Sequence, residues 1–184
     1  MALSMEGQMD FDELVDSYKK PIYNLIYRLM GDREDAADLT QDTFISAFNA
    51  ADRFRGECSV YTWLCRIAVN KCRNRYRQIS HRRERHSISL DDTDLSAGNA
   101  PAVSADSADS PHESLQRKEL VSRIEQAIEE LPYDYKTVVV LRDMQGLSYQ
   151  EIAEVANLST DVVRTRLARA RGTLRKKLEP YLRG

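Results

Sequence analysis

Leu147-Ser148-Tyr149-Gln150-Glu151-Ile152-Ala153-Glu154-Val155-Ala156-Asn157-Leu158-Ser159, continued by Thr160-Asp161-Val162-Val163-Arg164-Thr165-Arg166-Leu167-Ala168-Arg169-Ala170-Arg171, decides how this chain folds. Ser148 is placed to N-cap a helix, and Glu151, three residues on, completes a capping box. Asn157 stands where the chain must turn, and asparagine tolerates the left-handed conformation better than most residues. Ser159 caps a second helix. At 100° per residue, Val163, Leu167, Ala170 and Leu174 share one face of it. Asp161, Thr165, Ala168 and Arg169, flanked by Arg164, share the opposite face. Two helices, a tight turn and a second helix that is polar and basic outside make a helix-turn-helix pattern. Any amphipathic basic helix has a solvated face, so this stretch alone does not decide whether the face binds DNA.

The chain has 184 residues, enough for one domain or two small ones. It is 42% hydrophobic and 30% charged, which permits packed cores beneath a large polar surface. No apolar run is long enough to cross a membrane, and no signal peptide is expected. Three cysteines, Cys58, Cys65 and Cys72, form no disulfide-like framework and suit a reducing cytoplasm. Glycine and proline are sparse and strand-like alternation is hard to find, so an all-α fold is expected. No Walker loop, dinucleotide glycine pattern or zinc-ligand spacing occurs, which implies no cofactor and no metal. The net charge of −2 argues against a nucleic-acid binder at face value. The distribution reverses that inference. Arg66, Lys71, Arg73, Arg75, Arg77, Arg82, Arg83 and Arg85 face a single Glu84, and Arg164, Arg166, Arg169, Arg171, Arg175, Lys176, Lys177 and Arg183 face only Asp161 and Glu179. Two basic segments in an otherwise acidic chain suggest two contacts with a polyanion.

Near the N-terminus, Asp10 is placed as an N-cap, with Glu13 in the first turn and a Met9–Leu14 hydrophobic staple. Phe11, Leu14, Val15 and Tyr18, then Ile22, Leu25, Ile26 and Leu29, recur at helical spacing. Pro21 marks a kink or a fresh start, and Gly31 a stop. Asp32 caps a helix over 33–51 with an expected buried stripe of Ala37, Thr40, Phe44, Ala47 and Phe48. Its other face holds Asp35, Asp38, Asp42 and Asn49, with Leu39 and Ile45 among them. Aliphatics exposed in an acidic face suit docking of a basic, partly apolar partner helix; a solvated face with two stray aliphatics is the alternative. After the loop 54–59, a helix over 60–79 places Tyr61, Leu64, Cys65, Ala68 and Cys72 inside and Trp63, Arg66, Asn70, Arg73 and Arg77 outside. A tryptophan among arginines suits single-stranded nucleic acid, where bases stack and phosphates pair; a Trp half-buried against a neighbouring helix is the alternative.

From 86 to 113 the composition shifts to Ser, Ala, Asp and Pro with no Lys or Arg. This predicts a flexible acidic linker. Such a coil averages about 30 Å end to end and reaches about 90 Å when extended, enough to span DNA sites about 70 Å apart. A second domain begins near Ser114, with Leu120, Ile124, Ala127, Ile128 and Leu131 as one stripe. Pro132 ends that helix, a buried helix follows from Tyr135 to Met144, Gly146 stops it, and Pro180 ends the last helix. The expected architecture is therefore two small helical domains, 1–85 and 114–184, joined by a linker over 86–113, the second ending in the helix-turn-helix.

With both halves laid out, the order of parts resembles an extracytoplasmic-function sigma factor of the sigma-70 family. The matching residues are Asp38-Leu39-Thr40-Gln41-Asp42-Thr43-Phe44, Phe54-Arg55-Gly56, Tyr61-Thr62-Trp63-Leu64-Cys65-Arg66-Ile67-Ala68-Val69-Asn70, Leu131-Pro132, Gly146-Leu147-Ser148-Tyr149-Gln150-Glu151-Ile152-Ala153 and Val163 through Arg171. The match as a whole runs from about Phe11 to Leu178, interrupted only by the linker. The resemblance implies a factor without catalysis of its own that binds core RNA polymerase, directs it to specific promoters and helps open the DNA. Region two of the family holds the coiled coil of the polymerase beta-prime clamp, which by position implies Asp38, Leu39, Gln41 and Asp42 here. It also captures the melted minus-ten element, which implies Phe54, Arg55 and Asn70, with Tyr61 and Trp63 near strand opening and Arg66 and Arg73 on the same basic helix. Region four reads the minus-thirty-five element as duplex, implying Arg142, Arg164, Thr165, Ala168 and Arg169. It also contacts the beta flap, for which no residues are assigned. The resemblance further implies an anti-sigma factor as partner and a cytoplasmic protein, held at the membrane, if at all, through that partner.

Two departures bear on promoter sequence. Many relatives carry Gly-Thr where this chain has Asp161-Val162, and some carry a larger side chain where it has Ala168. Cys65 and Cys72 are expected as inert core thiols, and Cys58 as the most exposed of the three. The competing reading is a stand-alone helix-turn-helix regulator that binds an operator as a dimer.

Overall fold

The computed structural model describes residues 11–86 and 111–182. The Asp10 cap, the Met9–Leu14 staple, linker residues 87–110 and Arg183 lie outside them. Within the described residues the chain is helical throughout, with no strand, and it divides into two compact units at 84/85.

In the first unit α1 (Phe11–Met30) runs unbroken through Pro21, so the proline neither stops nor restarts the helix. Ile22, Leu25, Ile26 and Leu29 form its buried stripe. Gly31, at φ +76°, ends α1 in a conformation that costs glycine nothing. Asp32 then caps α2 (Arg33–Ala50), its side chain accepting from the Asp35 backbone N–H at 2.8 Å. The buried stripe of α2 is Ala36, Leu39, Thr40, Thr43, Phe44 and Ala47. This corrects the expected stripe, which loses Ala37 and Phe48 and gains Ala36, Leu39 and Thr43. Leu39 is inside at 9% exposure, Phe48 is outside at 63%, and Ala37 is exposed. Apolar residues lie all round α2, so the wheel had several near-equal solutions, and the neighbours of the helix chose among them. Thr40 and Thr43 enter the core because their hydroxyls donate back to the Ala36 and Leu39 carbonyls, each at 2.6 Å.

A short 3-10 turn (Ala51–Arg53) and a loop follow, with Gly56 at φ +72°. α3 (Val60–His86) is a full two turns longer than expected. Ser59 caps it, accepting from the Thr62 N–H at 3.0 Å. Leu64, Cys65, Ala68, Val69 and Cys72 are fully buried along it.

The second unit starts with α4 (Pro111–Glu129), which takes in the last three residues assigned to the linker. α5 (Tyr133–Val139) passes directly into one π turn (Val140–Met144), closed by a Gln145 N–H to Val140 carbonyl bond at 3.0 Å. Gly146 at φ +74° ends it. α6 (Tyr149–Ala156) and α7 (Thr160–Leu182) complete the unit. Val138, Val139, Val140, Leu141, Ile152, Val155, Val163, Leu167 and Ala170 make its core. Pro180 lies inside α7 rather than ending it, with only Tyr181 and Leu182 beyond it, so the lost N–H bond falls in the last turn of the helix.

Candidate polymerase and nucleic-acid interfaces

The turn between α6 and α7 is built from local chemistry. Ser148 Oγ accepts from the Glu151 N–H at 3.2 Å, and Glu151 returns the bond to the Ser148 N–H at 2.8 Å. Asn157 adopts φ 55°, ψ 56°, and the Leu158 N–H closes onto the Ala153 carbonyl at 2.8 Å. Ser159 Oγ accepts from the Val162 N–H at 3.3 Å. Arg142 reaches over from the π turn, donates to the Leu147 carbonyl at 2.7 Å and lies 5.1 Å over the Tyr149 ring. That arginine, expected among the duplex-reading residues, thus braces the entry to α6.

Val163, Leu167 and Ala170 anchor α7 to the core, which turns Arg164, Thr165, Ala168 and Arg169 outward, all exposed. Ion pairs hold this orientation. Arg171 makes a two-pronged bond to Asp143 at 3.2 and 2.5 Å, Arg166 meets Asp134 at 3.0 Å, and Lys177 meets Glu130. The hydrogen bond to Asp143 is the main reason the Arg171 pKa is raised. Three cations of the basic segment therefore face their own domain, while Arg164 and Arg169 stand exposed on the face opposite the core. Thr165 donates its hydroxyl to the Asp161 carbonyl at 2.9 Å, so what it presents outward is a methyl and an acceptor oxygen.

In the first unit the sites expected for melted DNA separate into two groups. Asn70 and Arg55 are exposed, and Arg73 and Arg66 half-buried. Trp63 is not on the outer face. It is 9% exposed and its ring packs on Phe54 at 4.8 Å between centroids. Phe54, at the start of the loop 54–59, packs over it, a contact that no single-helix pattern contains. Tyr61 stacks on Tyr18 of α1 at 5.7 Å, and burial pushes its phenol pKa up. The structure therefore joins Phe54 to Trp63 and ties Tyr61 to α1.

The expected polymerase face also divides. Asp38, Leu39 and Asp42 line a cleft of about 290 Å³ against Lys71, Asn74, Arg75 and Gln78 of α3. Asp35 accepts from Arg75 at 2.6 Å and Asp42 lies 4.0 Å from Lys71. Those carboxylates are partly neutralised within the unit, and the hydrogen bond to Asp35 is the main reason the Arg75 pKa is raised. Gln41 faces the other way, into an apolar groove of about 890 Å³ between α1 and α2, lined by Val15, Tyr23, Phe44, Ile45 and Phe48 among others. Phe48 meets Phe11 edge-on at 5.1 Å at its rim. The sequence reading missed this groove because it put Phe48 inside; the available signal was that α2 carries more apolar residues than one stripe can bury. Cys58 is half-buried in its loop, and Cys65 and Cys72 are buried as expected.

Two family profiles match the chain, sigma-70 region 2 over residues 14–83 and sigma-70 region 4 over residues 122–174. The chain is 37% identical over 177 residues to the RNA polymerase sigma-H factor of Pseudomonas aeruginosa, covering 94% of this chain and 88% of that protein. It is 35% identical to the ECF RNA polymerase sigma-E factor of Escherichia coli K12, over 96% of this chain and 90% of the relative. Among solved structures it is similar to CnrH, determined in complex with the cytosolic domain of CnrY, with a TM-score of 0.64 and 25% identity over 95% of this chain and 90% of that one. The fold is also that of the sigma factor RpoE of Bartonella quintana, determined with the anti-sigma factor NepR, with a TM-score of 0.69 and 22% identity over 92% and 97%. The chain belongs to the extracytoplasmic-function group of the sigma-70 family, the RNA polymerase sigma factors.

Proposed function

We infer that this sigma factor divides promoter recognition between its two helical units, described over residues 11–86 and 111–182, with the segment between them as the tether. The second unit reads the minus-thirty-five element as duplex through α7, with Arg164, Thr165, Ala168 and Arg169 facing the major groove. Duplex sequence is readable there because a helix fits and arginine matches guanine O6 and N7. The first unit handles melted minus-ten DNA through Arg55, Asn70 and Arg73, over a floor made by the Phe54–Trp63 stack. Melted bases are better captured by flipping and stacking than by groove contacts. The factor performs no catalysis and needs no cofactor or metal; its chemistry is recognition.

Core polymerase docks through the beta-prime clamp. We place that contact on the α1–α2 groove, where Gln41, Ile45 and Phe48 are open to a partner helix, while Asp38 and Asp42 lie on another side of α2, in the cleft toward α3. Leu39 supports the face from within. An anti-sigma factor is a further partner, consistent with the anti-sigma factor in the Bartonella quintana structure. The protein acts in the cytoplasm, and any membrane association runs through that partner; no described helix is long and apolar enough to cross a bilayer.

The single observation that carries this reading is the outward, basic face of α7 on a capped helix-turn-helix, in a chain whose first unit matches region two. Stepwise transcription assays with core polymerase test it. Arg169→Ala should weaken upstream duplex contact about tenfold, while Asn70→Ala should impair opening and leave upstream contact intact. Equal loss of both steps in each variant would contradict the division. Tight operator binding by an isolated dimer would favour a stand-alone regulator.

A further inference from the structure

We propose that Asp161 is a specificity-determining residue of the upstream reader, holding Arg164 in position for guanine and adding a cytosine-directed acceptor beside it. The proposal rests on the reading that α7 enters the major groove. Asp161 and Arg164 occupy the first turns of α7, where a recognition helix meets base edges. Asp161 Oδ1 accepts from Arg164 Nη1 at 3.3 Å, and the two side chains are 85% and 68% exposed. An exposed pair of this kind contributes little to stability. Its consequence is geometric. A free arginine surrenders side-chain freedom when it reaches a base, and one already tied to a carboxylate has less to lose. One nitrogen on Asp161 leaves the remaining N–H groups of the guanidinium for guanine O6 and N7.

The carboxylate also discriminates on its own account. Oδ2 can accept the N4–H of cytosine, while acceptor edges such as thymine O4 are repelled. Phosphates are repelled as well, so Asp161 lowers affinity for DNA in general while sharpening the choice of sequence. Backbone support comes from the same residue, since the Asp161 carbonyl accepts the Thr165 hydroxyl at 2.9 Å. Asp161 acts through Arg164 and is in that respect a positioning residue.

The test is selection from a randomised minus-thirty-five library by core polymerase carrying the full-length wild-type factor, Asp161→Asn, Asp161→Glu or Arg164→Ala. In Asp161→Asn, preference for the favoured pair at one or two adjacent positions should fall about tenfold. Other positions should keep their preferences, and binding to duplexes lacking the element should hold or rise. Asp161→Glu, which keeps a carboxylate within reach of Arg164, should restore part of the preference. An unchanged profile in Asp161→Asn overturns the proposal, and a uniform loss over all sequences assigns Asp161 to helix stability instead. If Arg164→Ala also leaves the profile intact, the underlying assignment of Arg164 to duplex reading fails; if Arg164→Ala alone alters it, only the role of Asp161 fails.

Discussion

Leu39 and Phe48 stand nine residues apart on α2 and have opposite tasks. Leu39 is buried and Phe48 stands 63% exposed at the rim of the α1–α2 groove. Leu39→Ala should therefore cost about 2–4 kcal/mol of stability and show as a lowered thermal midpoint. Phe48→Ala should leave the midpoint nearly unchanged yet weaken core polymerase in a binding titration, because only the exposed ring is available to a clamp helix. The reverse pattern would return the docking face to Leu39. Cys72 supplies a pH signature. Burial pushes its thiol up to about 12 from 9.0. The fold favours the neutral thiol, so the stabilisation is fully present below pH 9.0 and is lost as pH rises through about 12. Tyr61, raised chiefly by burial, acts in the same direction at the alkaline end. Urea unfolding should show stability falling above pH 9.0, and Cys72→Ala should flatten part of that fall. An identical slope in the variant would assign the loss to other groups.

At the level of elements, the helix-turn-helix owes its shape to contacts within a few residues. Ser148→Ala removes one arm of the capping box and should cost about 1 kcal/mol. Arg142 and Arg169 separate bracing from reading. Arg142→Ala removes the bond to the Leu147 carbonyl and the contact with Tyr149, so it should lower both the melting temperature and duplex binding. Arg169→Ala should lower duplex binding alone, because Arg169 is exposed. Thermal melts run beside transcription footprints would tell them apart; an unaltered melt in Arg142→Ala would remove its bracing role. The capping box, the left-handed Asn157 and the buried stripe of α7 were all legible in sequence, because each depends on neighbours three or four residues away. The same periodic argument failed for α2 and for Trp63. Leu39, Phe44, Ile45 and Phe48 surround α2 too evenly for a wheel to choose, and Trp63 is covered by Phe54, a residue outside α3 that no helix period encodes.

The whole molecule keeps a core in each of its two units, and its basic residues are unevenly spent. In the second unit Arg166, Arg171 and Lys177 bind acidic partners of their own domain, and Arg75 does so in the first. Fewer cations are thus free for phosphate than the composition suggests. Phosphate contacts dominate non-specific affinity, so the isolated factor should bind promoter DNA weakly, and tightly only with core polymerase. Fluorescence anisotropy at one fixed salt concentration, with and without core, checks this; comparable affinity in both would contradict it. The amino-acid sequence by itself determined the all-helical class, the two basic segments, the caps and turn of the helix-turn-helix and the family, since these rest on composition, local hydrogen bonding and ordered motifs. Tertiary structure alone decided which face of α2 is buried, that Trp63 lies beneath Phe54, that Arg142 braces a turn, and that Arg75, Arg166 and Arg171 pair with acids of their own unit. Those outcomes depend on partners far away in the chain, such as Arg75 for Asp35 and Asp143 for Arg171, and helical periodicity carries no information about what a face will meet.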